Sequence, residues 1–202
     1  MKLIILDRDG SINYDSDDFV KSADEWVPLP GALDAIARLN HAGWHVVIAS
    51  NQSGLGRGLY DVAQLNLIHG KMHKLLALHG GRIDAVFFCP HTPDDNCDCR
   101  KPLPGLFEQI GERYGVELKN VPVAGDSPRD LQAGAAVGCE PHLLLTGKGA
   151  QYSALVARGE PLPAEFPAGT RVHEDLAAFA DFVIAREARE RKLASQRGAE
   201  VR

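Results

Sequence analysis

Leu3-Ile4-Ile5-Leu6-Asp7-Arg8-Asp9-Gly10-Ser11 is the stretch on which the fold of this chain turns. Four consecutive apolar residues fit a short strand buried on both faces, as in the interior of a parallel sheet. Two carboxylates follow at once. In an open parallel sheet, ligands bind in the crevice beyond the carboxyl ends of the strands. Like charges held close together resist joint ionisation, and a divalent cation resolves that conflict. Mg2+ typically takes one or two carboxylates together with substrate phosphate. The stretch therefore reads either as a metal-assisted phosphoryl site or as a solvated strand-to-loop turn.

Working outward, 202 residues suffice for one domain with a sizeable core. Hydrophobic residues make up 45% and charged residues 24%, the balance of an ordinary globular protein. A net charge of -5 argues against a nucleic-acid binder, so an anionic ligand needs a local cationic cluster. No stretch is long and apolar enough to span a membrane. The chain enters a strand without a signal-peptide pattern, and the expected location is the cytoplasm.

Residues 12–30 are polar and acid-rich and read as a loop over the strand end, with Asp15 among its acids. Ala32–His41 has helical apolar spacing, and His45–Ala49 is a second buried strand. Strand, helix and strand in that order imply a parallel pair with a right-handed crossover. Ser50-Asn51-Gln52-Ser53-Gly54-Leu55-Gly56-Arg57-Gly58 follows as a small, polar, glycine-rich loop. Hydroxyls, amides and close backbone suit phosphate oxygens, although a plain linker reads the same way. Asp61–Leu78 is a long amphipathic helix and Ala85–Phe88 a third strand.

Cys89, His91, Cys97 and Cys99 crowd the next loop, a complete Cys3His set. Four protein ligands suit structural zinc, leaving no open position for chemistry. The alternative is a set of unrelated thiols. Arg100 and Lys101 follow directly, and a zinc-stiffened loop would aim both cations. A helix over Leu106–Tyr114 leads to a fourth strand, Val121–Ala124. Gly125-Asp126-Ser127-Pro128-Arg129-Asp130 again puts acids just past a strand, before a helix from Leu131 to Val137. Asp126 could complete the metal site begun by Asp7. His142–Leu145 is a fifth strand, with Lys148 beyond it.

The expected fold is a three-layer α/β, Rossmann-like, doubly wound parallel sheet. It carries a zinc-bound loop. Residues 1–149 form the main domain. Residues 150–202 are an extension of loop (150–171, a long loop or a short helix plus loop), short strand (Arg171–His173) and helix (Leu176 to about Leu193), frayed from Ser195 and packed on the same domain.

Asp7-x-Asp9-Gly10, Ser50, Lys101 and Gly125-Asp126-x-x-x-Asp130, in this order, resemble the haloacid dehalogenase superfamily of phosphotransferases. Within it, three stretches resemble the D-glycero-D-manno-heptose 1,7-bisphosphate phosphatases: Asp7 to Asn13, Asn51-Gln52-Ser53-Gly54-x-x-Arg57-Gly58, and Cys89-Pro90-His91 through Cys97-x-Cys99-Arg100-Lys101-Pro102. The resemblance covers residues 1–149 and implies a minimal cap, because the segments after the first two motifs are too short for the lid domain that superfamily members often carry. It departs at Ser11 and Ser50, where threonine is usual; both keep the hydroxyl.

The resemblance implies a Mg2+-dependent phosphatase acting on the C7 phosphate in heptose activation for lipopolysaccharide. It implies Asp7 as nucleophile and Asp9 as general acid and base. Ser50 and Lys101 would stabilise the phosphoryl group, with Asp130 in support. Mg2+ would lie on Asp7, the backbone carbonyl of Asp9, and Asp126. Arg100, Asn51, Gln52, Ser53 and Arg57 are candidates for the sugar and second phosphate, and Asp15 for sugar hydroxyls. The partner is a phosphorylated sugar, with no nucleic acid or membrane, and the chain is expected to be a monomer. The rival readings are a histidinol-phosphate phosphatase, against which Arg57 counts, and a non-catalytic zinc-stabilised binding protein.

Overall fold

The computed structural model describes residues 1–200. Its centre is β1 (Leu3–Leu6), every residue of which is buried. β1 pairs in parallel with β2 (His45–Asn51) on one side and with β4 (Pro122–Gly125) on the other, through Ile4↔Val46 and Ile5↔Val123. β3 (Ala85–Cys89) extends the sheet beyond β2; β5 (Glu140–Leu144) and β6 (Arg171–His173) extend it beyond β4. The six-stranded order is β3-β2-β1-β4-β5-β6. The winding therefore reverses at β1 and β4, and a crevice opens at their carboxyl ends.

The alternation of side chains along β1 divides the core in two. Ile4 and Leu6 join α1 (Ala32–His41), α3 (Val62–Leu78) and α7 (Leu176–Glu200) through Leu33, Ile36, Ile68, Met72, Phe179 and Val183. Leu3 and Ile5 join α4 (Gly105–Tyr114) and α5 (Pro128–Ala136) through Leu106, Phe107, Ile110 and Leu131. These are the three expected layers. A strand covered on both faces cannot slip register without burying its neighbours' polar ends, so the positions of Asp7 and Asp126 just beyond it are fixed.

Strand ends shift by one or two residues from the sequence reading, and three larger differences stand out. The glycine-rich loop after β2 holds a helical turn, α2 (Ser53–Gly56), which places the loop on the end of β3: the amide of Gly56 donates to the Pro90 carbonyl at 2.9 Å. α5 begins at Pro128 rather than Leu131, because Ser127 and Asp130 close a reciprocal capping box around its first turn. In the 150–171 segment a 3-10 turn at Gly147–Tyr152 and α6 (Ser153–Ala157) precede the loop, which is the short-helix-plus-loop form of the sequence reading. α7 continues to Glu200 instead of fraying at Ser195; Val201 and Arg202 lie outside the described residues. The C-terminal segment supplies β6 to the sheet edge and lays α7 against α1, with Phe179 and Val183 fully buried.

Candidate active site

Lys101 is the hub of the crevice. It arrives from the cysteine-rich loop, and Asn51 at the end of β2 pairs with its backbone in both directions. The Asn51 amide donates to the Lys101 carbonyl at 3.0 Å, and the Lys101 amide donates to Asn51 Oδ1 at 3.0 Å. The side chain is 2% exposed. Its ammonium donates to Asp7 at 2.7 Å, to Asp130 at 2.6 Å and to the Ala49 carbonyl at 2.7 Å. Three donors meet three acceptors, which fills the capacity of a lysine.

Asp130 reaches Lys101 from the first turn of α5, and its second oxygen accepts from the Ser127 amide and hydroxyl at 3.1 and 2.7 Å. Burial is the largest influence and would raise its pKa, but the Lys101 charge together with the hydrogen bonds from Lys101 and Ser127 holds Asp130 below the usual carboxylate range. Asp7 has the opposite balance. Burial first, then the charge of Asp130, push it up to about 7 despite Lys101. Asp126 is pushed up to about 8 by burial, then by Asp7 and Asp130.

Asp7, Asp126 and Asp130 bring carboxylate oxygens within 4.8 Å of one another. Asp126 is seated by the Lys148 amide at 2.8 Å, with two glycines pressed against it. A Cβ at Gly10 or Gly147, both at positive φ, would stand 2.0 or 2.2 Å from its Oδ2. Asp130 is committed to Lys101 and Ser127, so Asp7 and Asp126 are the pair with oxygens to offer a cation. Two buried carboxylates that hold their protons near neutrality are the donor chemistry that a hard divalent ion completes.

Asp9 faces another way. Its Oδ1 accepts from Arg8 Nε and Nη2 at 3.1 and 2.9 Å and from Asn13 at 2.9 Å. Its Oδ2 accepts from Arg8 Nη2 at 3.0 Å and Gln52 at 2.8 Å. Although burial opposes it, Arg8, Asn13 and Gln52 hold its carboxyl below the usual range.

The cleft above this floor is about 280 Å³ and is lined by Asp7, Asp9, Asp15, Asn51, Gln52, Ser53, Arg57, Arg100, Lys101, Asp126, Arg129, Asp130 and Lys148, among others. Ser50 is not on its wall. It is 2% exposed, with its hydroxyl accepting from Gln52 at 2.7 Å. Asp15 forms an ion pair with Lys148 at 2.9 Å across the rim. Arg129 was not singled out from the sequence. It lies between the two acids of its motif, where a charge in a first helical turn is commonplace; only the fold turns it toward the cleft.

Cys89, His91, Cys97 and Cys99 converge at the end of β3. The Cys89 sulfur lies 3.5 Å from His91 Nδ1, 3.7 Å from the Cys97 sulfur and 3.1 Å from that of Cys99, and His91 Nδ1 lies 3.3 Å from Cys99. Tetrahedral zinc with bonds of about 2.3 Å to sulfur and 2.0 Å to nitrogen needs edges of roughly 3.5–3.8 Å, close to most of these.

A parallel sheet with a buried carboxylate just past its first strand, a buried lysine and a second acid within reach at the switch point is an arrangement suited to phosphoryl transfer. A family model described as haloacid dehalogenase-like hydrolase matches residues 2–138, and the chain belongs to that family. It is 60% identical over 184 residues to a D-glycero-beta-D-manno-heptose-1,7-bisphosphate 7-phosphatase of Bordetella bronchiseptica, covering 91% of this chain and 98% of that one. The namesake of Pseudomonas aeruginosa is 50% identical over 90% of this chain and 97% of its own length. Among solved structures, the D,D-heptose 1,7-bisphosphate phosphatase from B. bronchiseptica, complexed with magnesium and phosphate, aligns with a TM-score of 0.84 at 59% identity over 92% of this chain and 99% of that one. The likeness runs past residue 149, the limit of the resemblance read from motifs. Among the described residues no helix is long and apolar enough to cross a membrane.

The raised values of Asp7 and Asp126 give a signed prediction. A folded pKa above the unfolded one stabilises fully below the unfolded value, 3.8, and that contribution is lost as pH rises through 7 and 8. Chelator-treated protein should therefore lose thermal stability between pH 6 and 9, and Mg2+ should raise Tm more at pH 9 than at pH 6. Differential scanning calorimetry checks this. A magnesium increment independent of pH would contradict the pairing.

Proposed function

We propose that this chain removes the C7 phosphate of D-glycero-D-manno-heptose 1,7-bisphosphate through an aspartyl-phosphate on Asp7, in the cytoplasm, toward nucleotide-activated heptose. What carries the reading is the coincidence of near-full-length kinship to enzymes of that name with the Asp7–Lys101–Asp130 cluster at the switch point. The histidinol-phosphate alternative has no such support. The non-catalytic alternative yields to the family match.

Asp7 presents the nucleophilic oxygen, a role carboxylates take in phosphoryl transfer. Its other partners set its direction: Lys101 holds Oδ1, and the backbone amide of Asp7 donates to the Ala124 carbonyl at 2.9 Å. Asp7 and Asp126, with the carbonyl of Asp9, would hold Mg2+, which supplies charge neutralisation between a carboxylate and a phosphate dianion. The charge of Lys101, whose three donors are already engaged, stabilises the equatorial oxygens electrostatically, where most of the catalytic advantage in such reactions arises.

As the Asp7 oxygen bonds to phosphorus, the bond from phosphorus to the sugar oxygen breaks, and Asp9 gives that oxygen its proton. Asp9 then takes a proton from the water that releases phosphate. The five hydrogen bonds to Asp9 suit its carboxylate form, the form needed for the second step. A dianionic phosphate arriving beside it raises its affinity for the proton used in the first.

Arg57, Arg100 and Arg129 on the cleft wall suit a second phosphate, and Asn51, Gln52 and Ser53 the sugar. Ser50 supports the floor through Gln52. Asp15 acts on the sugar after exchanging its contact with Lys148. Zn2+ on Cys89, His91, Cys97 and Cys99 stiffens the loop that delivers Arg100 and Lys101.

Phosphate release with Mg2+ tests the reading. Heptose 1,7-bisphosphate should be turned over in preference to histidinol phosphate, with the 1-phosphate left behind by 31P NMR, and Asp7→Asn should lose at least about 1,000-fold in kcat. Preference for histidinol phosphate would overturn the substrate. The zinc assignment has its own test: metal analysis should find about one zinc per chain, falling below about a tenth in Cys99→Ser. Zinc-free protein with wild-type activity in Mg2+ would remove zinc from the loop.

A further inference from the structure

Arg8 is the one fully buried arginine of the chain among the described residues, at 0% exposure, and it does not line the cleft. It cannot touch substrate. The acid its guanidinium meets is Asp9, and it meets it as a fork. Nε and Nη2 both reach Oδ1, at 3.1 and 2.9 Å, and Nη2 also reaches Oδ2 at 3.0 Å. The arginine is itself held from two other parts of the fold. Nη2 donates to Gln52 Oε1 at 3.2 Å, and Nη1 lies 3.4 Å from Nε2 of His69 on α3. Gln52 is fixed in turn by the Tyr60 hydroxyl, which donates to the same oxygen at 2.6 Å.

A single hydrogen bond fixes where a carboxylate is; a planar fork also fixes the plane in which it lies. We propose that Arg8 is a positioning residue for proton transfer: its fork, braced by Gln52 and His69, sets the Asp9 carboxylate at the cleft wall in the orientation that serves the sugar oxygen. The proposal rests on the reading of Asp9 as acid and base. The step it governs is the one in which the phosphorus–sugar oxygen bond breaks and the Asp9 proton moves to that oxygen as Asp7 bonds to phosphorus. A sugar alkoxide needs the proton. A nitrophenolate does not, so the two leaving groups separate loss of orientation from general damage.

The measurement is the rate of leaving-group release in the first turnover, which precedes the hydrolysis common to both esters, with enzyme in excess and Mg2+ present, using heptose 1,7-bisphosphate and p-nitrophenyl phosphate in parallel. Arg8→Met should slow the sugar ester about 100-fold and the aryl ester by no more than about 3-fold. Asp9→Asn should show the same split, and Arg8→Met added to Asp9→Asn should cost nothing more on either ester. Arg8→Lys keeps the buried charge without the fork; it should show the split in weaker form, and it carries the test if Arg8→Met does not fold. Equal losses on both esters, or a further loss in the double variant, would overturn the role given to Arg8. If Asp9→Asn itself slows both esters alike, the acid role of Asp9 fails, and the positioning role fails with it.

Discussion

The ammonium of Lys101, buried between Asp7 and Asp130, is the interaction on which the rest of the site depends. A charge taken out of water is tolerated only with full compensation, and removing one partner of such a cluster typically costs about 3–5 kcal/mol. Lys101 has two carboxylates and one carbonyl within 2.7 Å. Those three acceptors come from the ends of β1, β2 and the first turn of α5. The cluster therefore ties together the two halves of the doubly wound sheet at the point where they part. It also leaves one carboxylate more than the lysine can neutralise, and Asp126 adds another.

That excess of negative charge is the feature a divalent ion answers. The fold provides for it in small ways. Gly10 and Gly147 let two loops close on Asp126 where any side chain would collide with it. Asn51 fixes the lysine backbone, while the convergent sulfur and imidazole donors one loop away fit a structural ion that sets where that backbone begins. Apart from Lys101, which is paired with Asp7 and Asp130, the cations lining the cleft are Arg57, Arg100, Arg129 and Lys148, so an anionic substrate meets positive side chains above an excess of carboxylates. A net charge of -5 over the whole chain conceals this arrangement.

Much of this was legible in the sequence because it is local. The run Leu3–Leu6 followed by Asp7 announces a buried strand ending in chemistry, and Asp126 and Asp130 repeat the signal. The Cys3His set is legible because residue type, count and clustering agree. What the sequence does not carry is orientation. Ser50 has the hydroxyl and the position of a phosphate ligand, yet its side chain turns to Gln52 beneath the floor. Arg129 looks like any charge on a first helical turn. Arg8 sits between two acids in a strand-end motif, where a solvated cation would be unremarked; only its burial reveals its attachment to Asp9. His142 and His173 read as scattered histidines but meet at 2.9 Å between β5 and β6, a pairing that only the sheet register could create.

The central claim is that Asp7, aimed by Lys101, carries the phosphoryl group. The most direct measurement is acid quenching of the enzyme during turnover with heptose 1,7-bisphosphate and Mg2+, followed by peptide mass spectrometry. One phosphoryl group is expected on the peptide containing Asp7, absent when Mg2+ is withheld. Steady turnover with no phosphorylated peptide, or with the group on another residue, would contradict it.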